Sequence, residues 1–321
     1  MLDKYKVDTM EDCLKNTIAA ALALSLVATP LAAQEQSAAA EAMPLGPGTG
    51  PWPSVMVQEP SLPAHVIYRP ADLAKTRALG VLVWGNGGCS ADGASARQHL
   101  IEIASHGYVV IAPGEIMSGP GATKKREPRA PDKSGQLPPV ATTSADVKAG
   151  LDWALAENAR KGSALHGKID TRALAVAGHS CGGLQALELS PDPRVRTVLV
   201  HNSGVFTDGT NPIRGISVNK AMLDKLHTPV LYVLGGPDDI AFPNGTDDFK
   251  RIDKVPAALV QLPVGHGGTF RTANGGAVAG IAVDWLDWQL RGDKAAARSF
   301  TGSNCRLCVV PGWTIEKKKI D

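Results

Sequence analysis

The sequence contains no block of like charge. Its 33 lysine and arginine residues stand against 31 aspartate and glutamate residues, and both signs are spread along the 321 positions. A surface for nucleic acid or for a strongly anionic partner usually concentrates cations in one stretch of the chain. The composition therefore gives no indication that nucleic acid is a partner.

Aromatic residues and cysteines are also few. Phenylalanine, tryptophan and tyrosine make up 5% of the chain, so the composition shows no obvious flat aromatic platform for an extended polymer. The five cysteines and eight histidines include no second pair at the spacing of zinc ligands. We accordingly expect no metal site.

Long uninterrupted apolar runs are missing as well, whereas a membrane anchor needs about 20 such residues. The run TIAAALALSLVATPLAA contains Pro30 and ends in Ala32 and Ala33 before Gln34, and lysines precede it. This arrangement is typical of a cleaved export signal. We therefore predict a signal peptide over residues 1–33 and a periplasmic or secreted mature protein that is not attached to a membrane.

The rest of the chain divides at about residue 60. Residues 34–60 are rich in Ala, Pro and Gly and have no periodicity, which predicts a flexible lead-in that becomes ordered near Trp52. Over residues 61–321, apolar runs alternate with helical segments. This alternation predicts one α/β domain with a mostly parallel central sheet and helices on both faces. The predicted strands are residues 65–70, 80–85, 108–113, 173–178, 196–202, 229–235 and 257–263.

The stretch LAVAGHSCGG, residues 174–183, leads from a predicted strand into a predicted helix. Gly178, Ser180 and Gly182 form a Gly-x-Ser-x-Gly pattern in it. At a nucleophile elbow the serine lies on a sharp, strained turn, and side chains at the glycine positions would collide with neighbouring backbone. The pattern in this context predicts Ser180 as a nucleophile.

A serine hydroxyl is a weak nucleophile, so it requires a histidine base and an acid, in the chain order Ser, acid, His. Of the eight histidines, His266 follows the last predicted strand in the glycine-rich turn PVGHGGTF, and we predict it as the base. The strand PVLYVLGG leads into Asp238 and Asp239. Either carboxylate can orient His266, and we favour Asp239.

An oxyanion hole needs two backbone N–H groups directed at the charge that forms on the carbonyl oxygen. One comes from the residue after the nucleophile, here Cys181, and the other from the loop after an earlier strand. The stretch VLVWGNGGCS supplies such a loop, with Gly88 as the candidate donor and Cys89 next in line. The alternative interpretation of this stretch is a plain glycine turn.

Together these motifs resemble the α/β-hydrolase superfamily, near its dienelactone-hydrolase-like and polyester-hydrolase-like branches. The resemblance extends over residues 63–315 and implies an α/β-hydrolase fold with an acid in the segment PDDIA. It also implies the roles given above for Ser180, His266, Gly88 and Cys181. Dienelactone hydrolases proper have a cysteine nucleophile, and serine stands here. The segments that carry the resemblance are VWGNGGCS, EIASHGYVVIAPG, GHSCGG, GGPDDIAFPN, VGHGGTF and WLDWQLRGD.

The expected function is hydrolysis of carboxylic esters, small or polymeric, through an acyl-enzyme and without a metal or organic cofactor. The alternatives are an acyltransferase or peptidase with the same residues, or a non-catalytic binding protein on the same fold. Specificity depends on the loops at residues 118–140 and 203–222, in which no motif is recognisable. No feature of the sequence indicates an oligomeric state.

Four cysteines remain after removal of the signal peptide, and an even count in an exported protein indicates disulfides with three possible pairings. The implied fold brings Cys89 and Cys181 close together, either as a disulfide or as two buried thiols, and we favour the thiols. Cys305 and Cys308 form a Cys-x-x-Cys in the C-terminal tail. We expect a local structural disulfide between them.

Overall fold

A computed structural model gives the structure of most of the chain. The predicted signal peptide lies outside the residues it describes, as does much of the 118–140 loop. The chain divides into two compact units, Met1–Met43 and Pro44–Asp321. The first unit has four described residues, of which Ala39, Glu41 and Ala42 are helical. The described residues are 39, 41–122, 124–125, 133 and 138–321.

The second unit is built around a nine-stranded sheet with the order β1-β2-β4-β3-β5-β6-β7-β8-β9. From β4 to β8 along this order every pairing is parallel, whereas β1, β2 and β9 pair antiparallel at the edges. The prediction of a mostly parallel sheet is confirmed. The strands are β1 (Ser54–Glu59), β2 (Leu62–Pro70), β3 (Leu79–Gly85), β4 (Tyr108–Pro113), β5 (Ile169–His179), β6 (Thr197–His201), β7 (Val230–Leu234), β8 (Ala257–Gln261) and β9 (Thr314–Lys318).

Helices cover both faces of this sheet. They are α1 (Arg97–Ser105), α2 (Ser144–Ala159), α3 (Cys181–Leu189), α4 (Phe242–Arg251), α5 (Gly276–Arg291) and α6 (Lys294–Ala297). Successive residues of a strand point to opposite sides of the sheet. In β3, Val81 and Val83 belong to a core cluster with α2, α3 and α4, while Leu82 and Trp84 belong to a second cluster with α1 and α5. All four side chains are buried, which explains why β3 is a continuous apolar run in the sequence.

Strand β1 begins at Ser54, close to Trp52, where the lead-in is predicted to become ordered, and before the domain boundary predicted at residue 61. Strand β1 pairs with β2, and the backbone N–H of Gly50 donates to Ser105 Oγ of α1 at 2.9 Å. These contacts join the segment to residues far along the chain. A composition rich in Ala, Pro and Gly carries no local signal of them.

The parallel strands bring the loops at their carboxyl ends to one edge of the sheet, where open α/β sheets bind ligands. The predicted site residues occupy four of these loops: Gly88 after β3, Ser180 after β5, Asp239 after β7 and His266 after β8. Among the described residues, no helix has the length and apolar character needed to cross a membrane.

Candidate active site

Ser180 lies at the junction where β5 turns into α3. Its backbone has φ 54° and ψ −121°, a conformation that residues with side chains rarely adopt. The flanking glycines permit this turn, because a Cβ on Gly178 would lie 2.1 Å from the carbonyl oxygen of Gly182. A Cβ on Gly182 would lie 2.0 Å from the carbonyl oxygen of Gly85 in β3. Glycine is therefore required at both positions of the motif.

The side chains of Ser180, His266 and Asp239 form a continuous hydrogen-bonded chain. His266 Nδ1 lies 2.6 Å from Asp239 Oδ1, and His266 Nε2 lies 2.9 Å from Ser180 Oγ. A carboxylate only accepts hydrogen bonds, so Nδ1 donates to it, and in the neutral ring Nε2 accepts from the serine hydroxyl. The structure thus brings together the three residues predicted from the sequence. Asp238, the alternative acid, is exposed to solvent.

Asp239 is buried and accepts hydrogen bonds on both carboxylate oxygens. Oδ2 accepts from the backbone N–H of Gly235 at 3.0 Å, and Oδ1 accepts from that of Ala241 at 2.9 Å. Burial alone raises the pKa of this carboxyl, but the hydrogen bonds from His266, the two backbone groups and Asn202 outweigh it and lower the pKa to about 2. Asp239 is therefore ionised and fixed in orientation.

Asn202 belongs to the site and is absent from the sequence prediction. Its Nδ2 donates to Asp239 Oδ2 at 2.8 Å and to the carbonyl oxygen of Gly265 at 3.0 Å, so it holds the acid beside the loop that carries His266. The next residue, Ser203, donates from Oγ to the carbonyl oxygen of Ser180 at 2.6 Å. The sequence signal that could have identified Asn202 is its position, because Asn202 directly follows a buried parallel strand and such strands end at the ligand-binding edge of the sheet.

The two candidate oxyanion donors are linked through a disulfide. Cys89, next to Gly88, is bonded to Cys181, and their Cα atoms are 5.3 Å apart. Gly88 has φ 63° in the turn after β3, and Cys181 is the first residue of α3, where backbone N–H groups have no partner within the helix. Cys305 and Cys308 form the second disulfide, as predicted, whereas the favoured interpretation of Cys89 and Cys181 as two buried thiols is wrong.

His179 packs beneath the site as a neutral side chain. Its ring centroid lies 5.2 Å from that of His266 and 4.7 Å from that of Phe270. Burial lowers the pKa of His179 to about 4, because a charged imidazole would lose its hydration there. Two further buried imidazoles, His99 and His201, also contact Phe270, and burial lowers their pKa values below 6.5.

Comparison with protein-family models and with curated proteins found no match to this chain. The reaction that the site can catalyse is therefore inferred from the geometry of its side chains. A serine hydroxyl hydrogen-bonded to an imidazole, itself held by a buried carboxylate, can transfer its proton to Nε2 as the oxygen attacks an electrophile. The ionised Asp239 then stabilises the imidazolium that forms at His266.

Proposed function

We propose that this protein is an exported serine hydrolase of the α/β-hydrolase fold and that it cleaves carboxylic esters. The observation that carries the proposal is the hydrogen-bonded chain from Ser180 Oγ through His266 to Asp239. The sequence resemblance to the superfamily supports it over the same residues. The two disulfides support a periplasmic or secreted location, because disulfides persist in oxidising compartments.

In the proposed acylation, Ser180 Oγ attacks the carbonyl carbon of the ester while its proton passes to His266 Nε2. The negative charge that develops on the carbonyl oxygen is stabilised by the backbone N–H groups of Gly88 and Cys181. Collapse of the tetrahedral intermediate breaks the bond to the alkoxy oxygen, which takes the proton from Nε2 and leaves as the alcohol. The acyl group remains on Ser180.

Deacylation repeats these steps with water. A water molecule gives one proton to His266 Nε2 and attacks the acyl carbon, and the second intermediate releases the carboxylic acid as Ser180 recovers its proton. An ester is the favoured substrate because an alcohol leaving group demands less of the acid catalyst than an amine does.

The test is hydrolysis of a p-nitrophenyl ester series, acetate through palmitate, by the mature protein and its Ser180→Ala variant. Ser303→Ala serves as the control, since Ser303 is exposed in the C-terminal region. We expect turnover by the wild type and the control, and a loss of about 10³-fold or more in Ser180→Ala. Equal rates in wild type and Ser180→Ala, or no turnover and no labelling of the folded wild type by a fluorophosphonate, would overturn the proposal and favour a binding protein.

A further inference from the structure

A cavity of about 350 Å³, counting its open mouth, adjoins Ser180 and His266. Its lining comes from α3, from the start of α4 and from the loops after β5, β6, β7 and β8, on the side of β5 away from β3 and the Gly88 turn. Because this volume includes solvent at the open mouth, the enclosed space is smaller still and suits a short chain. Beyond the hydrogen-bonded site residues, the side chains of the wall include Leu184, Phe206, Ile213, Ile240, Ala241 and Asn244.

The segment after β6 contributes Phe206 and Ile213 to the cavity wall, and hydrogen bonds to α4 hold this segment. Asp248, fully buried in α4, accepts from the backbone N–H of Val205 at 2.7 Å and from Lys220 Nζ at 2.7 Å. Within the segment, the backbone N–H of Ile213 donates to Asn211 Oδ1 at 2.9 Å. These contacts hold the apolar wall in place.

Asn244 is the polar residue of the apolar wall. Asn202 Nδ2 donates to Asp239 and to Gly265, whereas Asn202 Oδ1 is buried and has no hydrogen-bond partner among the described residues. The hydroxyl of Ser203 donates to the carbonyl oxygen of Ser180. The side-chain amide of Asn244 makes no hydrogen bond to any residue that the structure describes, although the residue is half-buried. The apolar wall thus carries an amide group that is available to a ligand.

We propose that this cavity binds a short aliphatic chain of the ester substrate and that Asn244 selects chains bearing a hydroxyl group. The inference rests on the proposed function, because it assigns a substrate class to the same site. An aliphatic wall accepts the hydrocarbon part, and the amide hydrogen-bonds the polar group. A site that hydrogen-bonds a substrate hydroxyl discriminates against an analogue without it, because its own polar group is then left unpaired.

The hydroxyl can belong to the acyl part or to the alcohol part of the ester. Two pairs of matched substrates show which of the two parts occupies the cavity. p-Nitrophenyl 3-hydroxybutanoate and 3-methylbutanoate differ in the acyl part, whereas 2-hydroxyethyl acetate and propyl acetate differ in the alcohol. We expect a preference of about tenfold in kcat/KM for the hydroxylated ester in one pair. Asn244→Leu is expected to abolish this preference. Asn304→Leu, the same substitution at an exposed position, is expected to retain it.

A binding measurement separates this inference from the proposed function. In the Ser180→Ala background we expect ethyl 3-hydroxybutanoate or 2-hydroxyethyl acetate to bind about tenfold more tightly than its apolar counterpart, and Asn244→Leu to remove the difference. Selective binding without hydrolysis by the wild type would support the cavity assignment and reject the esterase. Equal affinity for both members of both pairs would overturn the assignment of Asn244, whatever the rate of hydrolysis. The wild-type comparison needs no cavity variant, so a folding defect in Asn244→Leu does not affect it.

Discussion

His179 donates a hydrogen bond from its ring Nε2 to the backbone carbonyl oxygen of His266, 2.8 Å away. A carbonyl only accepts, so the proton of the neutral ring lies on Nε2 and Nδ1 is an acceptor. On that other side the ring faces the turn after β3, because a Cβ on Gly87 would lie 2.5 Å from Nδ1. The residue directly before the proposed nucleophile therefore contacts the loop of the proposed base and the proposed oxyanion loop.

The role of His179 as a positioning residue can be tested by two substitutions. His179→Leu removes the donor, and we expect kcat to fall at least about tenfold while KM changes little, because the His266 loop loses its anchor. His179→Gln places an amide N–H near the position of Nε2, and we expect it to recover most of the activity. Steady-state kinetics on a p-nitrophenyl ester provide the measurement. Equal loss in both variants would show that the ring fills space only.

Gly87→Ala tests the same contact from the opposite side. The backbone of Gly87 lies outside the left-handed region, so alanine is compatible with its conformation, but the new Cβ would collide with the His179 ring. We expect kcat/KM to fall at least about tenfold.

Gly280→Ala is the matched control, since nothing lies within 4 Å of a Cβ at this exposed position in α5. We expect unchanged kcat/KM and a gain of about 0.5–1 kcal/mol in the free energy of unfolding, as for glycine replacement within a helix. Full activity of Gly87→Ala would contradict a close approach of His179 to this turn.

The Cys89–Cys181 disulfide is expected to affect both stability and catalysis. It joins residues 92 positions apart, so replacing both cysteines by alanine should lower the free energy of unfolding by about 4 kcal/mol. Since the bond ties the Gly88 turn to α3, we also expect kcat to fall by about tenfold or more at a temperature where the variant is folded.

The second disulfide provides the control for that experiment. Cys305 and Cys308 are three positions apart in the C-terminal region, so their double alanine variant should lose less stability and keep its kcat. Equal effects of the two double variants on kcat would refute a specific contribution of Cys89–Cys181 to the proposed oxyanion hole.

The lowered pKa of Asp239 predicts how the free energy of unfolding changes at acid pH. Its pKa is lowered from 3.8 to about 2, so the ionised carboxylate stabilises the folded protein above about pH 4, and this contribution is lost as the pH falls through 2. Between pH 5 and pH 2 we expect Asp239→Asn to lose about 2 kcal/mol less than the wild type in its free energy of unfolding. Urea unfolding at the two pH values measures this difference. Parallel losses would contradict the lowered pKa.

The sheet was predictable where each strand has its own local signal. Strand β3 is buried on both faces and therefore forms an unbroken apolar run, and the turn at Ser180 requires glycines at fixed spacing. Strand β1 was missed because an edge strand with a partly exposed face has no such run. Asn202 was missed because its function depends on two partners that lie 37 and 63 positions further along the chain.

The strand–turn–helix context of Ser180 and the order in which Ser180, the aspartates and His266 follow the strands can be recognised from the amino-acid sequence. Apolar runs and glycine spacing are local properties, and side-chain burial and backbone sterics act on them directly. The contact of His266 with Asp239 rather than Asp238, and the pairing of Cys89 with Cys181, required the three-dimensional structure. These contacts depend on which loops meet at the sheet edge, and that is determined by the spatial order of the strands.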